Sequence, residues 1–145
     1  MDAITRLAAA LKQRVMLMKA ASFALIGLIN TVIDLGVFLL ARNVVGLALV
    51  SANVLAWLVA VSFSYVMNSS VTFAAESGGK LTWRAYSAFL ASGVVGVTAS
   101  TATLVMLSYV MPELAAKLAA IGVSFVVNFS LSHFVVFRSR SEPSS

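Results

Sequence analysis

The fold is decided by residues 20–41, which read AASFALIGLINTVIDLGVFLLA and carry one charged residue, Asp34. An α-helix rises about 1.5 Å per residue, so about 20 apolar residues cross the roughly 30 Å hydrocarbon core of a bilayer. This segment is long and apolar enough to do so. The sequence therefore predicts a transmembrane helix over residues 20–41.

Three further apolar segments follow the first. Apart from His133, which can be protonated, charge is absent from residues 43–75, 85–112 and 118–137. The chain is 61% hydrophobic and 10% charged, whereas a soluble domain has about 25% charged residues. We therefore predict an all-α membrane protein whose further helices span residues 44–68, 86–111 and 114–137, with Pro112 in the turn before the last.

Lys and Arg residues are distributed unevenly between the two ends of the predicted bundle. Only Arg42 and Lys117 flank the helices at one end. The eight at the other end are Arg6, Lys12, Arg14, Lys19, Lys80, Arg84, Arg138 and Arg140. Because cytoplasmic loops are enriched in Lys and Arg, this end is predicted to be cytoplasmic, together with both termini.

The two ends of the chain are expected to lie outside the bilayer core. In residues 1–19, apolar side chains recur at helical spacing with Arg6, Lys12 and Arg14 between them. This pattern indicates an amphipathic helix on the anionic inner leaflet, with a frayed basic tail as the alternative. Residues 139–145 are predicted to form a disordered cytoplasmic tail.

The two halves of the chain resemble each other. Residues 23–27 (FALIG) are similar to residues 89–93 (FLASG), and residues 64–73 (SYVMNSSVTF) align with residues 128–137 (NFSLSHFVVF). A unit of two spans begins and ends on the same side of the membrane. We therefore predict two parallel two-helix repeats, related by a pseudo-twofold axis along the membrane normal.

These features together resemble the GtrA-like family over residues 22–138. In the first helix the resemblance is carried by Phe23, Gly27, Asn30-Thr31 and Asp34-Leu35. Each half also ends on a form of the family pattern N-F-x-x-N-R-x-x-x-F. The matching residues are Asn68 and Phe73 in the first half, and Asn128, Phe129 and Phe137 in the second. The residues that depart from this pattern are Ser64, Tyr65 and Ser69 in the first half, and Ser132 and His133 in the second.

The resemblance implies a function in the bacterial cytoplasmic (inner) membrane. Such proteins flip a polyprenyl-phosphate-linked monosaccharide from the cytoplasmic to the outer leaflet for glycosylation of surface polysaccharide. The alternative is a scaffold that recruits the membrane glycosyltransferases that make or use this lipid. A small multidrug-type, proton-coupled exporter is a second alternative, although its usual lack of charge bias differs from the bias seen here.

Polar residues at membrane depth are the candidate substrate contacts. Asp34 lies about 21 Å along the first helix, where an ionisable group is costly and usually functional. Asparagine both donates and accepts hydrogen bonds, as sugar hydroxyls require. The predicted substrate-binding residues are Asn30, Asp34, Ser64, Asn68, Asn128 and Ser132. The alternative is that they bond between helices, with Asp34 paired to Arg42; for Asn53 this structural role is favoured.

Cations at the two ends of the bundle are the candidate phosphate ligands. They are Arg84 and Arg138 at the cytoplasmic end, and Arg42 and Lys117 at the outer end. The chain has no cysteine, and it lacks the common hydrolase, metalloprotease and P-loop motifs. We therefore expect no catalysis, metal, cofactor or nucleic acid, and we expect a homo-oligomer such as a dimer because four helices enclose little space.

Overall fold

The computed structural model describes residues 2–138, and only the backbone of Glu76 and of residues 132–138. All regular secondary structure in this part of the chain is helical, and it contains no strand. Four of its helices are long and apolar enough to cross a membrane. The predicted all-α, four-helix membrane fold is confirmed; the predicted tail at residues 139–145 lies outside the described residues.

The first helix, α1, is longer than expected and runs without a break over Ala3–Leu40. The helix therefore continues without interruption through the boundary that we expected between an interfacial helix (residues 1–19) and a span (residues 20–41). The physical reason is composition, since residues 3–26 contain no glycine or proline and are rich in strong helix formers.

A π-helical turn over Ala41–Val45 continues α1 and ends at Gly46, whose φ of 78° lies in the left-handed region that favours glycine. The second helix, α2, consequently begins at Leu49 rather than at residue 44 and covers Leu49–Met67. A second π-helical turn, Asn68–Thr72, follows it. The first span is thus longer than predicted at its outer end, and the second starts later.

A short helix, α3 (Ala74–Ser77), and two left-handed glycines reverse the chain after α2. The next span, α4, covers Trp83–Ser108, and the Thr82 hydroxyl caps it by accepting a hydrogen bond from the Ala85 amide at 3.2 Å. The last helix, α5, covers Glu113–Arg138. Both helices begin close to the predicted positions.

The spans pack as two hairpins, α1 with α2 and α4 with α5, and the hairpins meet chiefly through α2 and α4. This arrangement agrees with the predicted pairs of helices. Small residues allow the close approach of the backbones. The buried core lies toward the predicted outer end and consists of Phe38, Ala41, Ala52, Ala56, Leu104, Ala116 and Ala120.

Candidate functional site

A polar network lies inside the bundle, toward its predicted outer end, and draws one side chain from each span. The Lys117 ammonium on α5 forms an ion pair with Asp34 on α1 at 2.5 Å. It also donates a hydrogen bond to the Asn53 Oδ1 on α2 at 2.7 Å. Asn53 Nδ2 in turn donates to the Thr101 hydroxyl on α4 at 2.9 Å. We call Asp34, Asn53, Thr101 and Lys117 the buried polar cluster.

The hydrogen bonds of the buried polar cluster are mutually consistent. The Thr101 hydroxyl gives its own proton to the Val97 carbonyl at 2.7 Å, so its lone pair is free to accept from Asn53. Asn53 therefore uses its amide nitrogen toward Thr101 and its oxygen toward Lys117. Both polar ends of this amide are satisfied, as burial in a low-dielectric interior requires.

Lys117 is the most deeply enclosed charge among the described residues, with a side chain only 1% exposed. Its ammonium lies 4.9 Å from the centroid of the Phe38 ring, which adds a cation–π contact. A buried charge must be paired to be tolerated, and Asp34, 14% exposed, supplies the opposite charge. Lys117, expected at the outer end as a phosphate ligand, is therefore enclosed within the bundle and paired with Asp34.

The buried polar cluster follows the internal repeat. Asn53 and Lys117 are 64 residues apart, the same spacing that relates Ser64 to Asn128 in the aligned halves. A bond between two equivalent residues must lie near the axis that relates them. If the predicted repeat holds, the Asn53–Lys117 bond is expected to lie near its pseudo-twofold axis.

A second ion pair closes the predicted outer end of the bundle. Arg42 donates from Nε and Nη2 to the two carboxylate oxygens of Glu113, both at 2.7 Å, and from Nη1 to the Leu47 carbonyl at 2.7 Å. The alternative pairing of Asp34 with Arg42 is not formed. Both predicted outer phosphate ligands, Arg42 and Lys117, thus face protein carboxylates here.

The predicted substrate contacts Asn30, Ser64 and Asn68 all lie in the first hairpin, and Ser64 and Asn68 are bonded to each other. The Ser22 and Thr72 hydroxyls lie 3.0 Å apart. Asn30 and Ser64 are equally far along the antiparallel helices from this contact, so they lie at about the same level. Asn68 Nδ2 donates to the Ser64 carbonyl at 2.9 Å and to its hydroxyl at 3.1 Å.

Two amide oxygens in this region are buried without a hydrogen-bond partner in the described part of the chain, Asn30 Oδ1 and Asn68 Oδ1. Leaving a buried acceptor unpaired costs roughly 1–3 kcal/mol. Asn68 also begins the π-helical turn after α2, and such turns are frequent at functional sites. These oxygens are placed to accept hydrogen bonds from a polar group that enters the hairpin.

The remaining predicted residues are less closely gathered. Asn128 is exposed on α5 and lies against Gly96 of α4. A Cβ at Gly96 would stand 2.7 Å from Asn128 Nδ2, so a larger residue there would require the Asn128 side chain to move. Arg84 is exposed at the start of α4. The side chains of Ser132 and Arg138 lie outside the described residues.

Comparisons with known proteins agree with this architecture. The family described as GtrA/DPMS, transmembrane domain, matches residues 22–137. A bactoprenol-linked glucose translocase of Salmonella phage P22 is 33% identical over 125 residues, which cover 85% of this chain and 98% of that protein. No solved structure matches the chain.

Proposed function

Since the chain belongs to the GtrA/DPMS transmembrane-domain family, we propose that it flips a polyprenyl-phosphate-linked monosaccharide from the cytoplasmic to the outer leaflet of the bacterial inner membrane. The lipid would then donate its sugar to surface polysaccharide. The observation that carries this proposal is the similarity to a bactoprenol-linked glucose translocase, because it extends over 98% of that protein. The distribution of Lys and Arg supports the proposed cytoplasmic location of both termini.

A sugar cannot cross hydrocarbon without partners for its hydroxyl groups, because each unpaired polar group costs several kcal/mol there. The unpaired oxygens of Asn30 and Asn68 offer acceptors at membrane depth. They accept the hydroxyl protons of the sugar, while the prenyl chain stays in lipid. Uncharged asparagine side chains suit this role, because a transported sugar must be released as well as bound.

The phosphate needs a cation, and the ion pairs suggest how one is supplied. The Asp34 carboxylate holds the Lys117 ammonium, and the Glu113 carboxylate holds the Arg42 guanidinium. A phosphate that takes the place of either carboxylate on its cation preserves the charge balance when the displaced carboxylate takes up a proton, and Arg42 can bind the phosphate through the same fork of donors. Both pairs join α1 to α5 at the predicted outer end, so their exchange also loosens the contact between these helices.

The proposed partners follow from the same chemistry. The lipid substrate must be made on the cytoplasmic side by a membrane glycosyltransferase, and its sugar must be transferred on the outer side by another. A dimer would add protein surface around a path that four helices only partly enclose.

Translocation is tested with purified protein in liposomes that carry a labelled short-chain polyprenyl-phosphate glucose. The rate at which inner-leaflet label becomes accessible to an external, membrane-impermeant reagent is measured. We expect faster exposure than in empty liposomes, and a loss of this gain in Asn30→Ala and Asn68→Ala. The exposed Asn43→Ala is the matched control. Folded protein that fails to accelerate exposure of several sugar lipids would overturn the proposal and favour the scaffold role.

A further inference from the structure

A pocket of about 300 Å³ lies at the predicted cytoplasmic end, between the second half of α2 and the start of α4. Its volume is at the lower end of the roughly 300–1,000 Å³ of small-molecule sites. It is lined by Ser62, Tyr65, Val66, Leu81, Thr82, Trp83 and Tyr86. We call this cavity the aromatic pocket.

Three rings of the aromatic pocket form a row from the interior to the surface. The centroids of Tyr65 and Tyr86 are 5.2 Å apart, and those of Tyr86 and Trp83 are 5.6 Å apart, with planes tilted by 51° and 54°. Tyr65 is 7% exposed, whereas Trp83 is 78% exposed. The row therefore runs from a buried ring at Tyr65 to an exposed ring at Trp83.

Hydrogen bonds fix both tyrosines in place. Tyr65 donates its hydroxyl proton to the Thr82 carbonyl at 3.1 Å and accepts from the Thr82 amide at 3.2 Å. Ser62 gives its proton to the Leu58 carbonyl, so the Tyr86 hydroxyl is the donor in its 2.6 Å contact with Ser62. The Tyr86 oxygen keeps a lone pair with which it can accept a further hydrogen bond.

We infer that the aromatic pocket binds the sugar ring of the polyprenyl-phosphate lipid on the cytoplasmic side, before translocation; this inference rests on the proposed function. The C–H face of a pyranose is apolar and packs on aromatic rings, while its hydroxyl rim needs hydrogen-bond partners. The Tyr86 oxygen supplies an acceptor at this site. Lys80 and Arg84 adjoin the lining residues in sequence and give a positive charge for the phosphate.

The competing role for these aromatic residues is anchoring at the membrane interface, where Trp and Tyr are common. Anchoring requires only that the rings reach the head-group region. It does not require a buried tyrosine whose hydroxyl is bonded on both sides, as Tyr65 is. The two roles differ in one measurable respect, because only a sugar site distinguishes the sugar lipid from the bare polyprenyl phosphate.

Tryptophan fluorescence measures this difference directly. The chain has two tryptophans, so Trp57→Phe leaves Trp83 as the single reporter. Short-chain polyprenyl-phosphate glucose is titrated into this variant in nanodiscs, with the same polyprenyl phosphate lacking sugar as the control lipid. We expect a saturable change in Trp83 emission with the sugar lipid and a smaller one with the control. Equal changes with both lipids would overturn the inference and leave Trp83 as an interfacial anchor.

The translocation assay separates failure of this inference from failure of the proposed function. We expect Trp83→Ala to raise the half-saturating concentration of sugar lipid about tenfold, and Trp83→Phe to restore most of the affinity. Tyr109→Ala, at an exposed aromatic residue of the opposite end, is the matched control. If the wild type accelerates exposure and Trp83→Ala behaves identically, the pocket assignment is wrong and the function stands. If the wild type does not accelerate exposure, the proposed function itself fails.

Discussion

Asn53 and Lys117 occupy equivalent positions in the two halves of the chain and are bonded to each other, with Lys117 Nζ 2.7 Å from Asn53 Oδ1. Through this bond the ion pair between α1 and α5 is connected to the Asn53–Thr101 bond between α2 and α4. A network that takes one residue from every span constrains all four helices at once. Changes in any member should therefore affect the bundle as a whole.

The ion pair of Asp34 with Lys117 should contribute strongly to stability. Asp34→Asn leaves the buried ammonium without its counter-charge, and breaking such a pair costs roughly 3–5 kcal/mol. The free energy of unfolding, measured by SDS titration in mixed micelles, should fall accordingly. The double variant Asp34→Leu/Lys117→Met removes both charges and should recover most of the loss. A single variant as stable as the wild type would contradict the buried pairing.

The ion pair of Arg42 with Glu113 should behave differently. Its side chains are 28% and 37% exposed, and solvent screens such pairs to about 0–1 kcal/mol. Glu113→Gln should therefore change the free energy of unfolding by less than about 1 kcal/mol. Raising the salt concentration should reduce even this effect, because screening lengths shorten to about 3 Å at 1 M salt. A loss as large as that of Asp34→Asn would show that this pair is shielded from solvent.

The sequence predicted four transmembrane helices, because span length and hydrophobicity are local properties. It did not predict which faces meet. Lys117 was expected at the outer surface because it precedes the uncharged residues 118–137, and only tertiary packing places it against Asp34. The repeat contained the missing signal, since Lys117 aligns with Asn53, a residue whose interhelical bonding was correctly predicted. The left-handed φ of Gly46, which the sequence alone does not reveal, is what delays the second span to Leu49.

The predicted topology has a simple test, because the chain contains no cysteine. Single cysteines are introduced by Thr5→Cys near the start of α1 and by Val45→Cys, at a side chain 61% exposed before Gly46. In intact cells we expect a membrane-impermeant maleimide to label Val45→Cys, and to label Thr5→Cys only after permeabilisation. Labelling of Thr5→Cys in intact cells would reverse the assigned orientation and, with it, the cytoplasmic location of the aromatic pocket.

Asn30 should show opposite effects on stability and on transport. Its Oδ1 is buried and has no partner in the described part of the chain, so Asn30→Leu replaces an unsatisfied acceptor by an apolar group of similar size. Removing such an acceptor is neutral or stabilising, and the free energy of unfolding in mixed micelles should stay the same or rise. The initial rate of sugar-lipid exposure should nevertheless fall about tenfold, as expected when one hydrogen bond of roughly 1.4 kcal/mol is lost. Asn53→Leu is the informative comparison, since both polar ends of that amide are bonded and its loss should lower stability. A variant at Asn30 that unfolds more easily yet transports normally would assign this residue to packing and remove it from the path.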